Sequence, residues 1–284
     1  MIGVSPAFFF SLYTTDFTVK DYSDGLEVLH ELGLTGFQLE IFKKERLDEW
    51  ERDWPLLLHK SEDLGLGTTQ FVAHFLLSAT ADAEALNSDV GFEEMRRVTE
   101  IVSHFPACRT ITLPLAPFTL GNETRMDASM YRKLWDRLVV KLLQFDEIVR
   151  TAGLRLGLEI VPGSLLGGTE GLMRLIRETG NGTIGYNFDT GHAWSSKECI
   201  ATIPAKLAGR IYGTHLKDNF GTENLALPPG QGSIPWGSVI GGVLASGYEG
   251  SFDLEIVCKD PNEVKRSYAE GNRYMMEITK EALT

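Results

Sequence analysis

Apolar and polar positions along this chain alternate between two periods. Stretches with apolar residues three and four apart close at a glycine, and within a few residues a short run rich in β-branched and aromatic residues begins. The unit recurs as HELG-LTGFQLEIF, EDLG-LGTTQFVAH, RTAG-LRLGLEIVP, RETG-NGTIGYNFD, KLAG-RIYGTHLKD and LASG-YEGSFDLEI. Gly33, Gly65, Gly153, Gly180, Gly209 and Gly247 are read as the residues that stop each helix, where a left-handed backbone carries no Cβ penalty. The apolar opening run from Ile2 to Phe10, with Phe8-Phe9-Phe10 inside it, is predicted as the first strand, and Thr110 to Leu115 as another. Helices are predicted near 21–32, 47–64, 92–104, 127–152, 169–179, 197–208, 236–246 and 262–282.

Eight strands separated by helices argue for a parallel sheet, and eight such units are what a closed barrel requires. The expected fold is therefore α/β, a (β/α)8 TIM barrel. No Pro/Gly/Ser-rich linker or charge block divides the chain, so residues 1–284 are read as one domain. A doubly wound open sheet is the weaker reading, because no G-x-G-x-x-G follows the first strand.

Composition changes the picture mainly by exclusion. Hydrophobic residues make up 43% and charged residues 23%, ample apolar material for one continuous core. A formal net charge of -12 sets the surface field against phosphate backbones and anionic lipid, so neither nucleic acid nor a membrane is an expected partner. Cys108, Cys199 and Cys258 are far apart and without C-x-x-C spacing, which argues against a disulfide framework or a cysteine zinc site and fits a reducing cytoplasm. The N-terminal apolar run lacks a secretory leader's charge and cleavage pattern and is too short to span a bilayer, so the expected location is cytoplasmic.

The chemistry sits at strand ends. Four predicted strands finish in LGLE, YNFD, YGTH and FDLE, at Glu159, Asp189, His215 and Glu255. In a barrel the C-terminal strand ends converge on one mouth, so these distant residues are brought together. Two positions back on the same face stand Gly157, Asn187, Gly213 and Asp253, small or polar where a purely structural layer would carry Val, Ile or Leu. Three carboxylates and an imidazole form an oxygen-rich donor set suited to one divalent ion, Mn2+ first, with Mg2+, Co2+ or Zn2+ as alternatives. A cation would also relieve the mutual repulsion of the carboxylates. Glu40 ends strand two in FQLE and His74 ends strand three in FVAH, each suited to substrate contact or proton transfer, although His74 also reads as a barrel-rim histidine. Trp50, Trp54 and Trp135 fall in helices and are read as packing residues.

The segments LGLEIVPGS, FDTGHAWSS, GTHLKDN, GQGSIPW and DLEI, set in βα punctuation over nearly the whole chain, resemble the xylose isomerase-like TIM-barrel superfamily. That superfamily comprises sugar isomerases and epimerases together with inosose dehydratases and family 2 AP endonucleases of the endonuclease IV type. The resemblance implies that Glu159, Asp189, His215 and Glu255 are metal ligands and that His192 reaches the substrate or supports a ligand. It makes Lys217 and Asp218 either substrate-orienting or a mutual pair. Gln231, Gly232 and Trp236 fall in the loop that covers the site in such proteins; Trp236 either stacks on a sugar face or anchors the next helix.

Departures from the relatives narrow the reading. Endonuclease IV relatives need extra histidines on strand four and a D-x-H pair after strand seven, whereas this chain reads TLPLAPF and LPPGQGSIPW, which with the acidic charge argues against DNA repair. Ketose 3-epimerase relatives carry a second glutamate where Leu165 stands. The expected activity is isomerisation or epimerisation of a small sugar, ketose or polyol-derived hydroxy-carbonyl compound through an enediolate, with Glu159 and Glu255 moving the proton and His192 and Lys217 stabilising charge on oxygen. A metal-dependent dehydratase and a catalytically silent sugar-binding barrel are the competing readings. A homodimer is the expected assembly.

Overall fold

All six predicted stop glycines have positive φ, from 65° at Gly180 to 79° at Gly247, and each leads into the next strand or its approach. The computed structural model describes residues 1–121 and 125–283. Along the chain these form β1 (Ile2–Val4), α1 (Ala7–Tyr13), α2 (Val19–Glu31), β2 (Gly36–Glu40), α3 (Leu47–Asp63) and β3 (Gly67–Val72). A 3-10 segment (His74–Thr80) leads to α4 (Ala83–Leu86), α5 (Phe92–Ser103), β4 (Thr110–Leu115), α6 (Ala128–Thr151) and β5 (Arg155–Ile160). The second half continues through α7 (Thr169–Thr179), β6 (Gly185–Asp189), α8 (Thr190–Ser195), α9 (Ile203–Lys206), β7 (Ile211–His215), α10 (Trp236–Ala245), β8 (Phe252–Leu254) and α11 (Val264–Ala282).

Every strand pair is parallel, in the order β7-β6-β5-β4-β3-β2-β1-β8. The ring closes just past β7: Leu216 pairs with Leu254, its N–H donating to Asp253 O at 2.8 Å while Glu255 N–H donates to Leu216 O at 3.0 Å. The result is the (β/α)8 barrel. Among the described residues no helix is long and apolar enough to cross a membrane.

One predicted element is different. Ile2 to Phe10 is not a single strand: β1 stops at Val4, and the three phenylalanines lie in α1. Pro6 sits at φ -57°, ψ -17° and starts the helix. A continuous apolar run cannot separate a buried strand from a helix buried on most sides, and α1 is the latter. Phe8 packs edge-on against Tyr268 and Phe9 stacks on Tyr22, both fully buried, while half-buried Phe10 turns to Phe42. Strand three also ends two residues early, so His74 opens the 3-10 segment instead of closing the strand. Of the predicted 197–208 helix, only a 3-10 turn at Ile200–Thr202 and the short α9 form.

Candidate functional site

The site is built from a buried polar layer upward. Asp253, on β8, accepts from Gln38 Nε2 at 2.8 Å, Thr69 Oγ1 at 2.9 Å and Ser251 Oγ at 2.6 Å. Because the Gln38 amide gives its N–H to that carboxylate, its oxygen faces His215, whose Nε2 lies 2.8 Å away. An oxygen there can only accept, so Nε2 carries a proton and Nδ1 is the nitrogen left to serve an ion once its own proton is displaced. His215 Nδ1 is buried with no hydrogen-bond partner, and it points at the carboxylates of Glu159 (3.4 Å) and Glu255 (3.2 Å). Beside this chain runs a second one: Thr112 Oγ1 donates to Gln70 Oε1 at 2.6 Å, and Gln70 Nε2 to Asn187 Oδ1 at 3.0 Å. Gly213 is required here, since a Cβ would collide with Gln70 Oε1 and Asn187 Oδ1.

Asp189 has two jobs, one for each oxygen. Its Oδ1 accepts the His192 N–H at 2.8 Å and caps α8, which fixes the carboxylate against the strand end. Its Oδ2 makes no well-aligned hydrogen bond, although Lys217 Nζ is 2.8 Å away. Lys217 Nζ also lies 3.2 Å from Glu255. The His192 ring spans Glu159 Oε1 (Nε2, 3.0 Å) and Asn224 Oδ1 (Nδ1, 3.1 Å).

Burial alone would raise the Glu159 carboxyl, but His215 and His192 hold it well below the usual carboxylate range. Burial is likewise overcome at Glu255 by Lys217 and His215. At Asp189 burial prevails and its carboxyl is raised. His215 is held well above the usual imidazole range, against its burial, by Glu255 and Glu159. This cluster therefore draws in positive charge from every available source.

The structure brings Glu159, Asp189, His215 and Glu255 together, each offering one ligand atom, all within 4.8 Å of one another. Ligands about 2.0–2.3 Å from a shared centre lie up to about 4.0–4.6 Å apart, close to this spread. His215 Nδ1, buried without a hydrogen-bond partner, and Asp189 Oδ2, which has only the nearby charge of Lys217 and the His192 ring and no well-aligned hydrogen bond, fit the residues to a divalent ion. The set opens on a cavity of about 320 Å³ that Glu159, His192, His215, Lys217 and Glu255 line from one side. Glu40 and His74 line it too. Glu40 Oε2 is buried without a partner, and burial, with Glu255 nearby, pushes its carboxyl well up. His74 stacks on Phe42 with ring centroids 4.1 Å apart, and burial lowers its basicity.

Other predicted residues lie elsewhere. Lys217 and Asp218 do not pair: Asp218 faces away and accepts from Trp236 Nε1 at 2.8 Å, Gly230 N at 2.9 Å and Ile234 N at 3.2 Å. Trp236 is buried at the start of α10 and does not line the cavity, so its geometry is that of the helix anchor. Gln231 is exposed and reaches Glu270. Sequence reasoning missed Gln38 and Gln70. Gln38 stands two residues before Glu40 on the inward face of β2, so period-two counting, applied to the ligand strands, would have found it there as well.

A parallel eight-stranded barrel with a carboxylate–imidazole cluster at its C-terminal mouth defines the class. Residues 26–278 match the model of the family described as xylose isomerase-like TIM barrel, and the chain belongs to that family. An uncharacterized protein of Methanocaldococcus jannaschii is 29% identical over 137 residues, a stretch covering 43% of this chain and 46% of that protein. Among solved structures, an L-ribulose 3-epimerase superposes with a TM-score of 0.75 at 18% identity, covering 99% of this chain and 95% of that one. The IOLI protein with a bound zinc atom gives 0.74 at 14% identity, covering 99% and 98%. At these identities the structural likeness is one of fold.

Proposed function

We propose that this protein is a divalent-metal-dependent isomerase or epimerase of a small sugar-like hydroxy-carbonyl compound. The observation that carries the reading is the convergence of Glu159, Asp189, His215 and Glu255, with His215 Nδ1 buried and without a hydrogen-bond partner, beside the cavity that Glu159, His215 and Glu255 line. These four residues would hold the ion, Mn2+ before Mg2+, Co2+ or Zn2+. Bound there, it supplies Lewis acidity that makes the C–H beside a carbonyl more acidic. Glu159 and Glu255 come from different strands, so one, as carboxylate, would take the proton, and either returns that proton to the neighbouring carbon or leaves the other, first protonated from solvent, to deliver its own to the opposite face. His192 and Lys217, which line the same cavity, stabilise the negative charge that develops on the substrate oxygens. The reading is supported further by the epimerase among the structural neighbours. It extends to a cytoplasmic location and a homodimeric assembly.

Turnover in heavy water tests it. A ketose incubated with the metal-loaded protein should give a product of unchanged skeleton carrying deuterium on carbon. Loss of water would move the assignment to a dehydratase, and binding without any exchange would leave a sugar-binding barrel.

A further inference from the structure

The cavity wall changes character halfway round the barrel. Strands β5 to β8 and the residues just past them place carboxylates, imidazoles and Lys217 on it with Val161, whereas β1 to β4 and the segments after them place Phe10, Phe42, Val72, Leu77 and Pro114 there. Phe42 joins this apolar half together, with Phe10 edge-on at a ring centroid distance of 6.0 Å and His74 stacked on it at 4.1 Å. Polar groups in this half are few. Thr15, Glu40 and His74 provide them, and only Glu40 shows a buried oxygen without a partner. Among the described residues no arginine lines the cavity, and its one lysine, Lys217, is engaged by Asp189 and Glu255.

Two classes of group are poorly served by such a wall. A phosphate or carboxylate placed on this half would lose its water against aromatic rings beside Glu40, while Lys217 and the residues that would hold the ion belong to the other half of the ring. A run of hydroxyls would exchange its hydrogen bonds to water for the few that Thr15, Glu40 and His74 can offer. A methyl or methylene group loses nothing there and gains contact with Phe10, Phe42 and Leu77.

We infer that the substrate is an uncharged, deoxygenated sugar-like compound, whose methyl-terminated end lies against Phe10, Phe42 and Leu77 while its hydroxy-carbonyl end meets the carboxylates. This rests on the reading of the site as one for hydroxy-carbonyl compounds, and it narrows the class: deoxyketoses rather than free ketohexoses or sugar phosphates.

The experiment measures binding by calorimetry to the Mn2+-loaded protein, and turnover separately by deuterium uptake, for D-fructose, D-tagatose, D-psicose and L-sorbose, their 6-deoxy counterparts, and D-fructose 6-phosphate. The 6-deoxy compounds should bind roughly ten- to a hundredfold tighter than their parents, the range a hydroxyl commands in an apolar pocket, and the phosphate ester weakest of all. Phe42→Asn, and independently Leu77→Asn, should shrink that ratio toward one. Both side chains are only half-buried, so the barrel should tolerate the change. If a parent ketose is turned over with no deoxy preference, the inference is wrong and the proposed activity stands; if the phosphate binds as tightly, the inference is wrong and turnover alone decides the activity. If the deoxy preference appears without turnover of any compound, the inference holds and the proposed activity fails. Absence of binding by every compound overturns both.

Discussion

Gln38 decides what His215 can do. Its amide is turned by Asp253 so that its oxygen accepts a hydrogen bond from His215 Nε2–H, which leaves Nδ1 as the ligand atom. Gln38→Leu removes that orientation, and metal affinity measured by calorimetry should fall about 10–100-fold, as is usual when a ligand's supporting partner is lost. Unchanged affinity would show that packing alone holds the ring. Glu255→Gln keeps an oxygen donor but removes the base, so it should retain metal while turnover drops roughly 10²–10⁴-fold; full turnover would reduce Glu255 to a ligand. At this scale legibility was uneven. Glu159, Asp189, His215 and Glu255 stood out because each follows a β-rich run at its last position or just beyond. Gln38 did not, because an amide inside FQLE carries no charge to mark it, and its role exists only through Asp253, 215 positions away. Lys217 and Asp218 are adjacent in sequence just past β7, yet they face different partners, one the carboxylates and one the Trp236 indole.

Strands and helices were legible where their ends were marked. The stop glycines gave the βα repeat because each needs a left-handed backbone. Gly213 is a different kind of glycine, needed for space, and two substitutions separate the cases. Gly153 has φ 76° and nothing within 4 Å of the point where a Cβ would stand, so alanine there should cost about 1–2 kcal/mol, the left-handed penalty alone. Gly213→Ala forces the Gln70–Asn187 pair apart in a filled layer and should cost about 2–5 kcal/mol, from overpacking plus a broken buried hydrogen bond. Urea unfolding of the two variants checks this, and equal costs would mean that the polar layer relaxes freely. Helix α1 was illegible for the opposite reason. Its phenylalanines face Tyr268, Tyr22 and Phe42 on three sides, so neither period two nor period 3.6 shows. The misread element is the one that brings Phe10 to the cavity.

Taken whole, the barrel divides its labour around the ring. The second half gathers three carboxylates and an imidazole, and the first half supplies an aromatic wall that in sequence is indistinguishable from core. That is why the ion site could be read in advance and the wall could not: strand-end charges are conspicuous, whereas Phe42 and Leu77 look like any buried residue until the loops are placed. Folding should not require the ion, because Lys217 stands against Asp189 and Glu255 without it. Metal at a hundred times its Kd should nevertheless stabilise the fold by about 2.7 kcal/mol, seen as a higher Tm that chelator reverses. No shift would mean that the ion does not bind the folded chain. The central claim, one divalent ion held by four converging residues, is tested most directly by titrating Mn2+ into chelator-stripped wild type, Asp189→Asn and His215→Ala, with circular dichroism to establish that all three are folded. The expected result is one ion per chain in the wild type and severely weakened binding in both variants with the barrel intact. A stoichiometry near three, no binding by the wild type, or undiminished binding by either folded variant would contradict it.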